Sequence, residues 1–128
     1  MKVLIDTNIF LWLTTGQTNQ LSAKALRTVR NPAIGLVVSI ASIWEVALKL
    51  PGGKLKVKLD QSSLEHHMEL LDATLLPIKP GHIFETLSLP RIHHDPYDRM
   101  LIAQAIVEEL DFVTPDEAIH KYPVRIIW

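Results

Sequence analysis

Cysteine is absent from the 128 residues, which excludes disulfides and thiolate metal sites and leaves carboxylate and imidazole as the strong metal ligands. No apolar stretch is long enough to cross a bilayer. No basic-then-apolar leader opens the sequence either, because Met1-Lys2 runs directly into a short apolar segment that stops at a charged residue. The expectation is a soluble, cytoplasmic protein that does not engage a membrane. An excess of either charge is also missing: 13 Lys and Arg stand against 14 Asp and Glu, a formal net charge of −1. Wholesale polyanion binding therefore has no support in the composition. Internal repeats and low-complexity linkers are lacking too, so residues 1–128 read as one domain, long enough to bury roughly two-thirds of its unfolded surface.

What is present is an alternation of short β-branched runs with helical patterns. Residues 2–5 predict a strand, followed by the polar turn Asp6-Thr7-Asn8 and a helix over 9–13. Ser22 is placed to N-cap a helix through Val29, closed by Asn31-Pro32. A strand over 34–39 leads into a helix over 41–50, which Pro51-Gly52-Gly53 breaks. The lysine-rich piece 54–59 is either a short edge strand or an extended loop. Helices over 62–72 and 80–87 flank a strand at 75–78, and 89–94 is a loop. Asp95-Pro96 opens the clearest helix, to Leu110, with Asp95 as N-cap and proline in the first helical position. A strand at 112–114, a short helix at 116–120 and a strand at 124–127 finish the chain. Such alternation argues for an α/β domain with a mainly parallel sheet covered by helices on both faces.

Against this frame four acids stand out. Asp6 ends the first strand, Asp116 follows the run 112–114 after a single proline, and Glu45 and Asp98 lie on helices. Strand tips and helix starts are where α/β folds collect ligand-binding groups. If the four converge, their repulsion raises their pKa values unless a cation neutralises them, and an all-oxygen set suits Mg²⁺ or Mn²⁺. Such a centre activates a water against a phosphoryl group without a serine, histidine or cysteine nucleophile. Asp6, Asp98 and Asp116 are the principal candidate ligands, with Glu45 and Asp95 as further ones. Thr7, Asn8 and Thr114 are candidates to orient the carboxylates or bound waters. Arg99 is placed either to contact a phosphate or to bridge an acid of the cluster. Bases that could rim the pocket are Lys49, Lys54, Lys56 and Lys58, and Lys24, Arg27 and Arg30.

Each acid also has a plain structural use. Asp6 and Asp116 suit helix caps, Glu45 is spaced for an i,i+4 pair with Lys49, and Asp98 suits the first turn of its helix. His93-His94 beside Asp95 and Asp98 offers a histidine–carboxylate metal site as an alternative, against which stand the missing spacing of a metal-binding histidine pair and the divergence of neighbouring side chains in a loop. His66 and His67 read as surface residues. Trp12, Trp44 and Trp128 read as core or subunit-interface residues, with base stacking the alternative. A Mg²⁺-binding signalling or protein-binding module without nuclease activity is the competing function. A receiver-like module would show paired acids near the first strand, where Asp6 stands alone, and a small-molecule phosphatase would show Asp-x-Asp where position 8 is Asn.

The stretches 4–8, 38–49, 94–105 and 113–116 together resemble the PIN domain, and more narrowly the VapC-type ribonuclease toxins of toxin–antitoxin pairs. The resemblance covers essentially the whole chain with its motifs in order. It implies a three-layer α/β/α fold and Mg²⁺- or Mn²⁺-dependent cleavage of RNA. It maps Asp6, Glu45, Asp98 and Asp116 onto the family's acidic cluster, with Thr114 as a polar helper. It also implies a homodimer and a cognate antitoxin whose C-terminal segment lies across the groove and presents a basic residue to the acids. One departure bears on the third acid: Asp98 stands four residues before Ile102-Ala103, where much of the family has three.

Overall fold

The computed structural model describes residues 1–53 and 57–128. Five strands form one wholly parallel sheet: β1 (Lys2–Ile5), β2 (Gly35–Ser39), β3 (Ala73–Leu76), β4 (Asp111–Val113) and β5 (Ile126–Ile127), in the order β3-β2-β1-β4-β5. Both faces of such a sheet must be apolar because helices cover both. Leu4, Val37 and Phe112 supply one face, and Val3, Ile5, Leu36, Val38 and Val113 the other.

The helices complete the two outer layers of an α/β/α sandwich. Helices α1 (Thr7–Thr14), α2 (Ala23–Arg30) and α4 (Gln61–Leu70) bury Ile9, Phe10, Ala25 and Met68 against the second face. Helix α6 (Pro96–Val107) buries Leu101, Ile102, Ala103 and Ala105 against the first, with α5 (Pro80–Ser88) beside it. Helix α3 (Ile40–Lys49) starts where β2 stops and packs against both α1 and α6. Its N-cap is Ser39, whose hydroxyl accepts the Ala41 N–H at 3.0 Å and bonds the buried Gln104 of α6, so the tip of β2 is tied to α6.

Several sequence expectations shift, each for a local reason. The strand expected at 75–78 lies at 73–76: Asp72 takes a positive φ of 48° that turns the chain into the sheet early, and Pro77 has no N–H with which to extend the ladder. The helix expected to reach Leu110 stops at Val107, because Glu109 adopts φ of 54° and lets the Leu110 N–H return to the Ala105 carbonyl at 2.8 Å. The short helix expected at 116–120 is an Asp116 turn followed by a single 3₁₀ turn, Ile119–Lys121, since Pro123 forces Tyr122 into extended backbone. The strand expected at 124–127 contracts to Ile126–Ile127. The polar turn expected at 6–8 is the start of α1 itself. Of the lysine-rich stretch, 54–56 lie outside the described residues and 57–59 have no regular structure.

No helix among the described residues is long and apolar enough to cross a membrane. Trp12 and Trp128 pack half-buried against the core, whereas Trp44 is exposed on α3 with the Tyr97 ring edge-on at 5.5 Å.

Candidate metal centre

The sheet reverses direction of growth between β1 and β4: from β1 the chain adds β2 and β3 on one side, then returns to lay β4 and β5 on the other. Loops diverge at such a point and leave a crevice at the carboxyl ends of the strands. Asp6 stands at the end of β1 and Asp116 three residues beyond the end of β4. Glu45 reaches the crevice from α3, and Asp98 from the first turn of α6.

Asp6 is buried, and both of its oxygens are engaged. Oδ1 accepts the Asn8 N–H at 3.1 Å, which caps α1, and Oδ2 accepts the Thr114 hydroxyl. Burial pushes its carboxyl above the usual range, and the nearby Glu45 and Asp116 push the same way, while the Thr114 and Asn8 hydrogen bonds oppose them. Thr114 is itself fully buried, and its hydroxyl oxygen takes the Asp116 N–H at 3.2 Å, so one threonine sets the spacing of two acids. Of the other candidate orienters, Thr7 donates instead to the Ser42 hydroxyl at 2.9 Å, locking α1 to α3. Asn8 is exposed and touches Asp6 through its backbone.

Glu45 is 6% exposed. Its Oε2 pairs with the Lys49 ammonium at 2.7 Å, as the i,i+4 spacing foresees, and the pairing raises the Lys49 pKa. Its Oε1 is buried with no hydrogen-bond partner, an expensive arrangement unless another group completes it.

Asp95 and Asp98 divide the work at the start of α6. Asp95 caps the helix, Oδ1 taking the N–H groups of Tyr97 at 2.8 Å and Asp98 at 3.1 Å. Asp98 turns its side chain into the crevice, where burial, followed by repulsion from Asp6 and Asp95, pushes its carboxyl up to about 7. Asp116 uses Oδ1 to accept the Ala118 N–H at 2.9 Å and aims Oδ2 at the same crevice.

His93 was absent from the expected site. Its Nε2 lies 3.0 Å from Asp98 Oδ2 and 3.1 Å from Asp116 Oδ2, and the three groups are spaced as a metal-binding set would be. Its backbone N–H is held by the Tyr122 hydroxyl at 2.7 Å, and His94 diverges to the surface. Nothing in the spacing of 93–98 signals the contact, which joins positions 23 apart in sequence. Arg99 faces away from the acids. Its guanidinium donates to the carbonyls of Thr86 and Pro90, each at 2.8 Å, and reaches the Tyr122 hydroxyl at 3.4 Å, tying α6 to the end of α5.

The donor set fits a hard divalent cation. It is rich in carboxylate oxygen, burial with added repulsion between its charges lifts two carboxyls, and a buried Glu45 oxygen lacks a partner. This five-stranded parallel sandwich with acids at its switch point is the architecture of a PIN domain. The chain belongs to the PIN domain family, whose pattern it matches over residues 3–124. Among solved structures it is similar to VapBC2 from Rickettsia felis bound to a DNA fragment from their promoter, with 13% identity, TM-score 0.67 and coverage of 98% of this chain and 97% of the other. It is also similar to a toxin–antitoxin complex from Klebsiella pneumoniae, with 16% identity, TM-score 0.59 and coverage of 94% and 92%. No curated protein matches it in sequence.

Proposed function

We propose that this chain is a Mg²⁺- or Mn²⁺-dependent endoribonuclease acting as the toxin of a toxin–antitoxin pair. The observation that carries the reading is the convergence of Asp6, Glu45, Asp98 and Asp116 at the β1/β4 switch point with one Glu45 oxygen buried and unpartnered. Asp6, Asp98, Asp116 and Glu45 would hold the cation through oxygen. Asp95, committed by one oxygen to capping α6, contributes chiefly negative charge. The bound cation would polarise the phosphodiester and lower the pKa of a water for attack at phosphorus.

The remaining chemistry lies in how this chain holds those groups. Thr114 fixes Asp6 and Asp116 relative to each other, so neither carboxylate must reorganise during the reaction. Lys49 holds Glu45 by one oxygen and leaves the other buried without a partner. A phosphodiester backbone approaching this crevice meets the exposed Arg91 in the adjoining cleft, which would offset part of its charge.

The partner readings rest on different observations. One solved neighbour is described as a toxin–antitoxin complex and the other as VapBC2 bound to promoter DNA, which supports a cognate antitoxin for this chain. Trp44 and Leu48 on α3 and Ile83, Phe84 and Leu87 on α5 are exposed, and large apolar groups in such number favour protein contacts, including the homodimer. RNA as substrate follows from the family resemblance, and the cytoplasm as location is the expectation drawn from the sequence.

The deciding experiment is cleavage of total cellular RNA by purified, antitoxin-free protein in Mg²⁺ or Mn²⁺ against EDTA, with Asp6→Asn, Asp98→Asn and Asp95→Asn beside it. Discrete metal-dependent products, lost with Asp6→Asn and Asp98→Asn and retained with Asp95→Asn, are expected. A folded, metal-loaded protein that leaves all RNA intact would favour the module without nuclease activity.

A further inference from the structure

We infer that His93 is a stand-in for the cation and not one of its ligands: its imidazole donates Nε2–H between Asp98 and Asp116 and withdraws into the neighbouring cleft when a divalent cation enters. The inference rests on the metal-centre reading above and concerns how that centre is loaded.

The wiring of the ring decides its role. Nδ1 lies 3.2 Å from the Asp95 N–H, which donates to it. A neutral imidazole that accepts at Nδ1 carries its proton on Nε2. Nε2 is thus a donor, directed at two carboxylate oxygens 3.0 and 3.1 Å away. Ligation through Nε2 requires the opposite arrangement, with a free Nε2 lone pair and Nδ1–H giving its proton to an acceptor. Here Nδ1 faces a backbone N–H, and the fold offers it no acceptor in that direction. The spacing of His93, Asp98 and Asp116 thus has the dimensions of a metal site, while its hydrogen bonding is that of a site held together without metal.

Two further features make the arrangement reversible. A cleft of about 270 Å³ is lined by His93 together with Thr86, Leu89, Arg91, His94 and Arg99, so the ring borders volume to turn into. The Tyr122 hydroxyl holds the His93 backbone at 2.7 Å, so the side chain can move without the loop. Meanwhile Glu45 Oε1 remains unpartnered; the histidine bridges two of the acids and leaves the set incomplete.

The test compares wild type with His93→Ala and His93→Gln by calorimetric titration with Mg²⁺ and with Mn²⁺, folding being checked by circular dichroism. Removing a group that competes for the site should tighten both metals about tenfold in the alanine protein, with little change in their ratio. Weaker binding, with a greater loss for Mn²⁺ than for Mg²⁺, would make His93 a nitrogen ligand and overturn the inference; unchanged binding would overturn it too. Nitrogen-15 spectra of histidine-labelled wild type supply a readout without mutation. The metal-free protein should show His93 protonated at Nε2, and Mg²⁺ should shift that signal to one of a solvent-exposed ring. A signal protonated at Nδ1 in either state would refute the proposal. Wild type that binds metal while the variants bind it equally or more weakly sinks the role of His93 alone. Absence of binding in wild type and variants alike sinks the metal centre with it.

Discussion

Asp98→Asn should make the metal-free protein more stable while removing its activity. In the folded chain burial, with repulsion from Asp6 and Asp95, pushes the Asp98 carboxyl from 3.8 up to about 7. Folded protein therefore retains a proton that the unfolded chain has released, and stability must fall as pH rises from about 4 to about 7 and then level off. The interval is about three pH units, or about 4 kcal/mol at 1.36 kcal/mol per unit if nothing screened it. The side chain is 17% exposed and touches His93, so water and that donor screen part of it, leaving about 1–2 kcal/mol. Asparagine keeps an oxygen for His93 and has no charge to repel Asp6. Thermal melts in EDTA should place the variant about 3–8 °C above wild type at pH 8, with the gap closing near pH 4. Saturating Mg²⁺ should raise wild type and do little for the variant. A variant less stable than wild type at pH 8, or a gap independent of pH, would refute the account of the crowded carboxylates.

Thr114→Val removes the hydroxyl that joins Asp6 to the Asp116 backbone; urea denaturation should show a loss of about 1–3 kcal/mol, and metal-dependent cleavage should fall at least tenfold, whereas Thr114→Ser should retain most of both. Arg99→Ala deletes two guanidinium–carbonyl bonds of 2.8 Å between α6 and the α5 end, so a stability loss of about 2–3 kcal/mol is expected in the same assay; an unaltered midpoint with weakened RNA binding would assign the guanidinium to the substrate instead. Arg91→Ala, at an exposed position of the cleft beside His93, should leave the melting temperature unchanged and lower the slope of log affinity against log salt for RNA by about one.

The elements that local chemistry dictates were legible in the sequence. Val3-Leu4-Ile5 is apolar on both faces as a central parallel strand requires, and Ser22 and Asp95-Pro96 mark the two helix starts they were read to mark. Asp6 and Asp116 were readable as strand-tip acids because the runs before them end abruptly. What was not readable depends on contacts made after folding. The order of the strands, which puts β1 beside β4, leaves no periodic trace. Glu109 turns α6 off with a left-handed backbone that no glycine or asparagine announces. His93 meets Asp116 in a loop that the Tyr122 hydroxyl and the Arg99 guanidinium help to hold, and a lone histidine beside another carries no spacing rule.

The structural and functional readings of the acids are not rivals, because most of these carboxylates divide their oxygens between the two tasks. Glu45 gives Oε2 to Lys49 and leaves Oε1 bare; Asp116 gives Oδ1 to the Ala118 N–H and turns Oδ2 to the crevice. Asp6 caps α1 with Oδ1 and holds Oδ2 in place through Thr114, a hydroxyl that can be shared with an incoming cation. One anchored oxygen fixes the position of the other, so side-chain entropy is lost during folding and not when metal or substrate arrives. This division also accounts for which substitutions should be informative. Amides keep an anchoring oxygen and remove the charge, so Asp6→Asn and Glu45→Gln should fold and fail to act, whereas Asp6→Ala should also unseat α1 at a cost of about 1 kcal/mol.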